Sequence, residues 1–315
     1  MKKVYVLDDF HPAGVDWLAQ RLQVVPFSDT VRQRWHADAD GVMVRTCPLA
    51  ASDFAQAAAL KAVVKQGVGM NAIDLDAARA HGIVVANTRG LNSDAVAEMA
   101  LTLGIAVARR VVQYDRMVRA GEKIERPKLL GMSLRGRTLG IIGMGNIGVR
   151  TALNYQAAFD CEVLAYDPFY TPGAEDRWSG VRHERVRDLD DLWPRVDVLS
   201  VHVPLSDATR HLVGARELAA LKRGAIVLNL ARGGIVDESA LFEALSSGHV
   251  FGAGIDVWDE REPPSPDHPL LSLPNVVALP HVGGGTAETQ ERISLQVAQE
   301  LFKILEGGEP LSRVV

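Results

Sequence analysis

Short apolar runs rich in Val and Ile alternate with helix-length stretches along almost the whole chain. In the first third, runs at residues 3–7, 41–45, 61–65 and 82–86 read as strands, and alanine-rich stretches at 53–59 and 75–81 read as helices between them. A second series begins at Thr138, with strands expected at 138–142, 162–166, 196–202, 225–230, 252–257 and 276–279. Strands separated by helix-length spacers predict βαβ units and parallel sheets. The fold class is therefore α/β.

Residues 92–120 break this rhythm. Asn92 or Ser93 caps a helix that is expected to run unbroken until Gly121 stops it. Apolar residues cover much of its circumference, which predicts burial, including against a second subunit, and its length suits a connection between domains. Another helix is expected from Thr286 to just before Gly307. The proline-rich stretch 262–274 reads as one long ordered loop, and such loops inside compact domains are often functional.

Composition narrows the class. The 315 residues allow two domains of ordinary size, and 47% hydrophobic with 23% charged residues is typical of a soluble globular protein. With 34 Lys plus Arg against 39 Asp plus Glu the net charge is −5, which argues against a broad basic surface for nucleic acid. Two distant cysteines, Cys47 and Cys161, offer neither a disulfide scaffold nor a Cys-rich metal site, and no metal is expected. Acids at Asp8 and Asp9 occupy the place where a secretory leader needs apolar residues, and no apolar run is long enough to span a bilayer. A cytoplasmic protein that binds neither nucleic acid nor membrane is the expectation.

The chemistry begins at Gly143, Gly145, Asn146, Ile147 and Gly148, a GxGxxG turn between an expected strand and an expected helix. The first glycine permits the tight turn, the second lets backbone approach a pyrophosphate, and the third lets helix and strand pack closely. The next strand closes on Asp167, near the ~20-residue spacing at which a carboxylate takes the ribose hydroxyls of NAD and repels a 2′-phosphate. No Lys or Arg follows before Arg177, so NAD rather than NADP is the expected cofactor. The bland alternative is a structural glycine turn with an aspartate capping the next turn.

Three later positions stand at strand ends or turns. Arg232, in NLARGG, offers a planar donor fork suited to a carboxylate. The acids Asp256, Asp259, Glu260 and Glu262 include one able to orient a histidine and favour its imidazolium. His281, in PHVGGG, directly follows a strand, and ligands of open α/β sheets bind beyond the carboxyl ends of strands. A histidine there suits general acid–base work, although a lone loop histidine is commonly structural.

Taken in order, GMGNIG, Asp167, DVLSVHVPL, NLARGGIVDE, the Asp256 to Glu-Pro segment and the 280–285 loop resemble the NAD-dependent D-isomer-specific 2-hydroxyacid dehydrogenases. GVGMNAIDLDAARAHGIVVANT, in the first third, is similar to that family's substrate-domain segment. The resemblance implies two doubly wound parallel-sheet domains: a flavodoxin-like substrate domain from residues 1–92 plus 286–315, and a Rossmann NAD-binding domain at 93–285. It implies a catalytic trio of Arg232, Glu262 and His281. Arg232 would hold the substrate carboxylate, His281 would exchange the proton of the 2-oxygen, and Glu262 would keep His281 protonated. Further cofactor contacts would come from His202, Val203, Pro204, Thr209, Leu230, Ala231, Asp256 and Gly284. Backbone around Val68 and Gly69 would share the carboxylate. A homodimer is the default.

Departures from the family pattern leave points open. One extra residue between Asp256 and Pro263 makes Glu260 a rival to Glu262, although the following EPPSPDHPLL favours Glu262. Asn71-Ala72-Ile73-Asp74 replaces a usual Asp-Asn-Ile-Asp, and Arg89 stands where a proline is usual. Lys65 occupies a position that is usually Arg in phosphoglycerate dehydrogenases, whereas Arg45 and Arg126 match basic positions of that branch. Arg45, Lys65, Arg89 and Arg126 favour a substrate with a second anionic or polar group, of the phosphoglycerate, hydroxypyruvate or glyoxylate type. No C-terminal regulatory domain is expected. An NAD-sensing binding protein of the corepressor type, on the same fold, is the rival class.

Overall fold

The structure is a computed structural model that describes residues 1–173 and 176–315. Its chain divides into two units, Met1–Asn92 with Gly285–Val315, and Ser93–Gly284.

The first unit is built on β1 (Lys3–Val6), β2 (Gln23–Val25), β3 (Gly41–Val44), β4 (Ala62–Lys65) and β5 (Val84–Asn87). They pair in the order β2-β1-β3-β4-β5, all parallel, which is the flavodoxin-like order. All of β3, GVMV, is buried, because a parallel sheet is covered on both faces. One face packs Val4, Val6, Met43 and Val64 against Leu18 of α1 (Pro12–Ala19) and Ile293, Val297 and Leu301 of α9 (Ala287–Leu305). The other carries α2 (Ala51–Gln56) and α3 (Leu75–Ala80), whose Phe54 and Ala78 meet Tyr5, Val42, Val63 and Val85. At Gly14 a Cβ would stand 2.3 Å from the Ser294 carbonyl oxygen, so α1 and α9 cross in backbone contact. Beyond β5 the last residues lie antiparallel, with Val314 N–H donating to Val85 O at 2.8 Å.

The second unit holds β6 (Thr138–Ile142), β7 (Glu162–Tyr166), β8 (Glu184–Arg185), β9 (Val198–Val201), β10 (Ala225–Asn229), β11 (Val250–Ile255) and β12 (Val276–Ala278). The order is β12-β11-β10-β9-β6-β7-β8, all parallel: a Rossmann sheet extended by β12. One face is covered by α4 (Ser93–Ala108) and α6 (Asn146–Phe159) through Leu103, Val107, Val149 and Tyr155. The other is covered by α7 (Ala215–Ala220) and α8 (Glu238–Ser246) through Leu218, Leu241 and Leu245.

Three expectations change. This sheet has seven strands rather than six, because β8 is a two-residue edge strand, Glu-Arg, with no apolar signal. The short edge strand β2 is likewise absent from the sequence reading. The helix expected to run unbroken through 92–120 is broken at Arg110, which adopts φ +53°, a left-handed conformation that ends α4 and starts α5 (Val111–Arg119). Burial holds for α4, whereas α5 has no buried residue.

Candidate active site

β6 ends in the glycine turn. Gly143 sits at φ +105°, and a Cβ there would lie 2.5 Å from His202 O. A Cβ on Gly148 would lie 2.1 Å from Gly143 O, so helix and turn touch at that point. At Gly145, the N-cap of α6, no atom lies within 4 Å of an added Cβ. The 14-residue α6 thus opens with no side-chain cap, presenting N–H groups and its positive dipole end to open space. These features fit the pyrophosphate of a dinucleotide.

Asp167 follows β7. Its carboxylate accepts Met144 N–H at 3.0 Å and Phe169 N–H at 2.9 Å, so it ties the strand end to the glycine turn. Two arginines stand beside this corner: Arg177 donates to the Asn146 side-chain oxygen, and Arg185 donates to Asp167 O at 3.0 Å and Tyr170 O at 2.7 Å. Sequence spacing alone does not reveal Arg185, which arrives on β8. His202 ends the β9 segment. Its Nε2 meets Ser200 Oγ at 2.9 Å, and burial pushes its pKa down to about 3, so the ring is neutral. Ile147 and Val203 are half-buried, and Thr209 Oγ1 donates to Pro204 O at 2.7 Å, pinning the 204–209 turn. Leu230 and Ala231 are buried after β10.

Arg232 follows Ala231. The turn is shaped by Asn229, whose amide donates to Arg232 O at 3.0 Å and accepts Ala231 N–H at 3.2 Å. Arg232 is half-buried, and its Nη1 donates to Ala231 O at 2.6 Å. Gly233 lies directly on the next loop, since a Cβ there would be 1.9 Å from Trp258 O.

His281 and Glu262 meet, with Nδ1 and Oε2 2.5 Å apart. Glu260 is exposed and makes no such contact among the described residues. Burial tends to raise the Glu262 carboxyl, but hydrogen bonds from His281 and Trp258 N–H and the Arg232 charge outweigh it, so the carboxyl titrates below its ordinary range. An ionised carboxylate only accepts, so Nδ1 carries the proton and Nε2 is left for a ligand. His281 adopts φ +60°, uncommon outside glycine. Asp256, 1% exposed, holds it there. Its carbonyl accepts His281 N–H at 2.7 Å, and its carboxylate accepts Val282 N–H and Gly283 N–H, each at 2.8 Å. Both carboxylate oxygens of Asp256 thus brace the histidine turn. Gly284 follows, half-buried.

In the first unit, the 66–69 loop follows β4. Gly67 N–H donates to Thr88 Oγ1 at 2.8 Å, Asn87 Nδ2 to Val68 O at 3.2 Å, and Lys65 Nζ to Gln66 O at 3.0 Å. The Val68 and Gly69 N–H groups donate to nothing among the described residues. Asp8 organises the neighbouring loop by accepting Arg45 N–H at 2.6 Å and the Thr46 hydroxyl at 2.7 Å. Arg45, Arg89 and Arg126 are exposed. The structure thus joins Glu262 with His281 and groups them with Asp256, while the basic candidates of the first unit sit on separate strand ends. Trp258 and Asp8 were missed by sequence reasoning; the one visible signal was a tryptophan inside the acidic DVWDERE run.

The second unit thus combines a Rossmann sheet, a glycine turn and a carboxylate-bound histidine beyond a strand end. Residues 101–283 match the family model described as D-isomer specific 2-hydroxyacid dehydrogenase, NAD binding domain. The chain is 42% identical over 269 residues to a D-3-phosphoglycerate dehydrogenase of Archaeoglobus fulgidus, covering 85% of this chain and 50% of that one. It is 40% identical over 271 residues to a hydroxypyruvate reductase of Thermotoga maritima, covering 85% of each. A crystal structure of a protein from Thermus thermophilus superposes with TM-score 0.88 at 37% identity, over 99% of this chain and 100% of that one. The chain belongs to the D-isomer-specific 2-hydroxyacid dehydrogenase family, and it spans only half the length of the Archaeoglobus relative. No helix among the described residues is long and apolar enough to cross a membrane.

Proposed function

We propose that this protein transfers a hydride between NAD(H) and a small 2-keto or 2-hydroxy acid, with D specificity. The observation that carries this reading is the His281–Glu262 pair, set beyond the carboxyl end of a strand in the same sheet as the glycine turn. Bound NADH supplies the hydride. Arg232 pairs with the substrate carboxylate through its planar fork. Nε2 of His281 gives its proton to the 2-keto oxygen, and takes it from the hydroxyl in the reverse direction. Glu262 fixes the ring and stabilises the imidazolium. In the first unit, the open N–H groups of Val68 and Gly69 are suited to an anionic group. Residues 1–92 with 286–315 act as the substrate domain, and 93–285 as the nucleotide domain.

The substrate carries a second anionic or polar group. Arg45 and Arg89, exposed just after β3 and β5, favour that class, with Lys65 and Arg126 as further cations. The phosphoglycerate and hydroxypyruvate names of the two relatives point the same way and favour an enzyme over an NAD-sensing binding protein. Exposed Ile105, Val111, Val118, Leu130 and Leu153 lie in and around α4, α5 and α6, an apolar surface suited to a homodimer. A cytoplasmic location completes the reading. The test is a panel of 2-keto acids, including phosphorylated ones, with NADH and NADPH. Oxidation of NADH by one of them is expected; tight NADH binding with no turnover of any would overturn the proposal. Light scattering at micromolar concentration should return twice the chain mass.

A further inference from the structure

Trp258 is 3% exposed, and each of its polar groups meets a different arm of the site. Its backbone N–H donates to Glu262 Oε1 at 3.1 Å, the oxygen not used by His281. Its indole N–H donates to Leu279 O at 2.8 Å, two residues before His281. Its carbonyl lies against Gly233, the neighbour of Arg232, so closely that only glycine fits. The ring is itself held. His268 packs on it edge-to-face with centroids 5.2 Å apart, and His268 Nε2 lies 3.0 Å from Glu238 Oε2. The other Glu238 oxygen accepts Asp259 N–H at 2.9 Å.

We propose that Trp258 is a positioning residue that sets the mutual placement of Arg232, Glu262 and His281, acting through these three groups rather than on substrate. The inference rests on the function proposed above. Without the indole N–H, Leu279 O loses its partner in a half-buried setting, and the strand end that delivers His281 is free to shift relative to Glu262. The charged groups facing the His281 turn are Glu262, Asp256 and, through Glu262, Arg232.

The test compares Trp258→Phe with a chain carrying 3-benzothienylalanine at 258, which keeps the bicyclic shape and removes only the donor. Both should lower kcat about five- to tenfold, the size of one lost buried hydrogen bond, with NADH affinity within about twofold of the parent. Both should also move the His281 titration followed by imidazole proton NMR. A folded variant with parental kcat and an unmoved His281 titration, changed only in thermal midpoint, makes Trp258 merely structural and overturns the inference. If the Phe variant does not fold, the isosteric one decides. Absence of turnover in the parent protein rejects the proposed reaction instead, and the NMR titration still decides the placement.

Discussion

The two units treat their polar side chains in opposite ways. In the second, nearly every group around the candidate reaction centre is tied: the Asp256 carboxylate accepts two N–H groups and its carbonyl a third, and Glu262 holds both Trp258 and His281. In the first, backbone is fixed by Asp8, Asn87 and Thr88, while Arg45 and Arg89 project into solvent. Under the proposed function, the difference separates chemistry from selection. Proton transfer needs a locked geometry, because misplacement costs rate steeply. Recognition of one anion over another can rest on long, exposed cations whose replacement disturbs nothing underneath.

The largest effect should come from the locked side. His281→Ala is expected to lower kcat by about 10²–10⁴-fold while leaving NADH affinity intact, read by single-turnover kinetics. Unchanged turnover would remove the histidine from the mechanism. Glu262→Gln should cost about 10- to 100-fold, the value of a charged hydrogen bond, and should displace the pH profile of reduction toward acid. The sign follows from losing the negative charge that favours the imidazolium; in the parent, the lowered Glu262 carboxyl keeps that charge until pH falls through its depressed folded value. A profile that does not move would mean the carboxylate does not act on the imidazole.

At the edge of the nucleotide sheet, Asp167→Ala should relax preference for NADH over NADPH by roughly tenfold, because repulsion of a 2′-phosphate is removed. Arg185 beside it keeps its bonds to the main-chain carbonyls of residues 167 and 170 in that variant. An unaltered ratio would reduce Asp167 to its bonds with Met144 and Phe169. The smallest effect belongs to the open side. Arg45→Gln and Arg89→Gln should each raise KM about two- to fivefold for a phosphorylated or dicarboxylic keto acid, and leave a monoanionic one unchanged. Equal effects on both substrates would blur the division drawn above.

Much of this was legible in the sequence for a physical reason. Buried parallel strands such as β3 and β11 must be apolar on both faces, so they stand out as unbroken runs. β2 and β8 sit at sheet edges, are two or three residues long, and carry no such constraint. The break at Arg110 has no glycine or proline to mark it. Gly143 and Gly148 were readable because close backbone approach demands glycine there. The roles of Asp256, Asp8 and Trp258 were hidden because they act on main-chain groups, which look alike in every sequence.

The first sheet closes only when α9 and the tail that lies along β5 have been added. On the ribosome, residues 93–284 emerge as one uninterrupted stretch and can fold as a unit, while 1–92 wait with Val4, Val6, Met43 and Val64 covered by α1 but not yet by α9. A segment made before the second unit is thus completed only after it, and its apolar face is the part of a nascent chain that chaperones would have to guard.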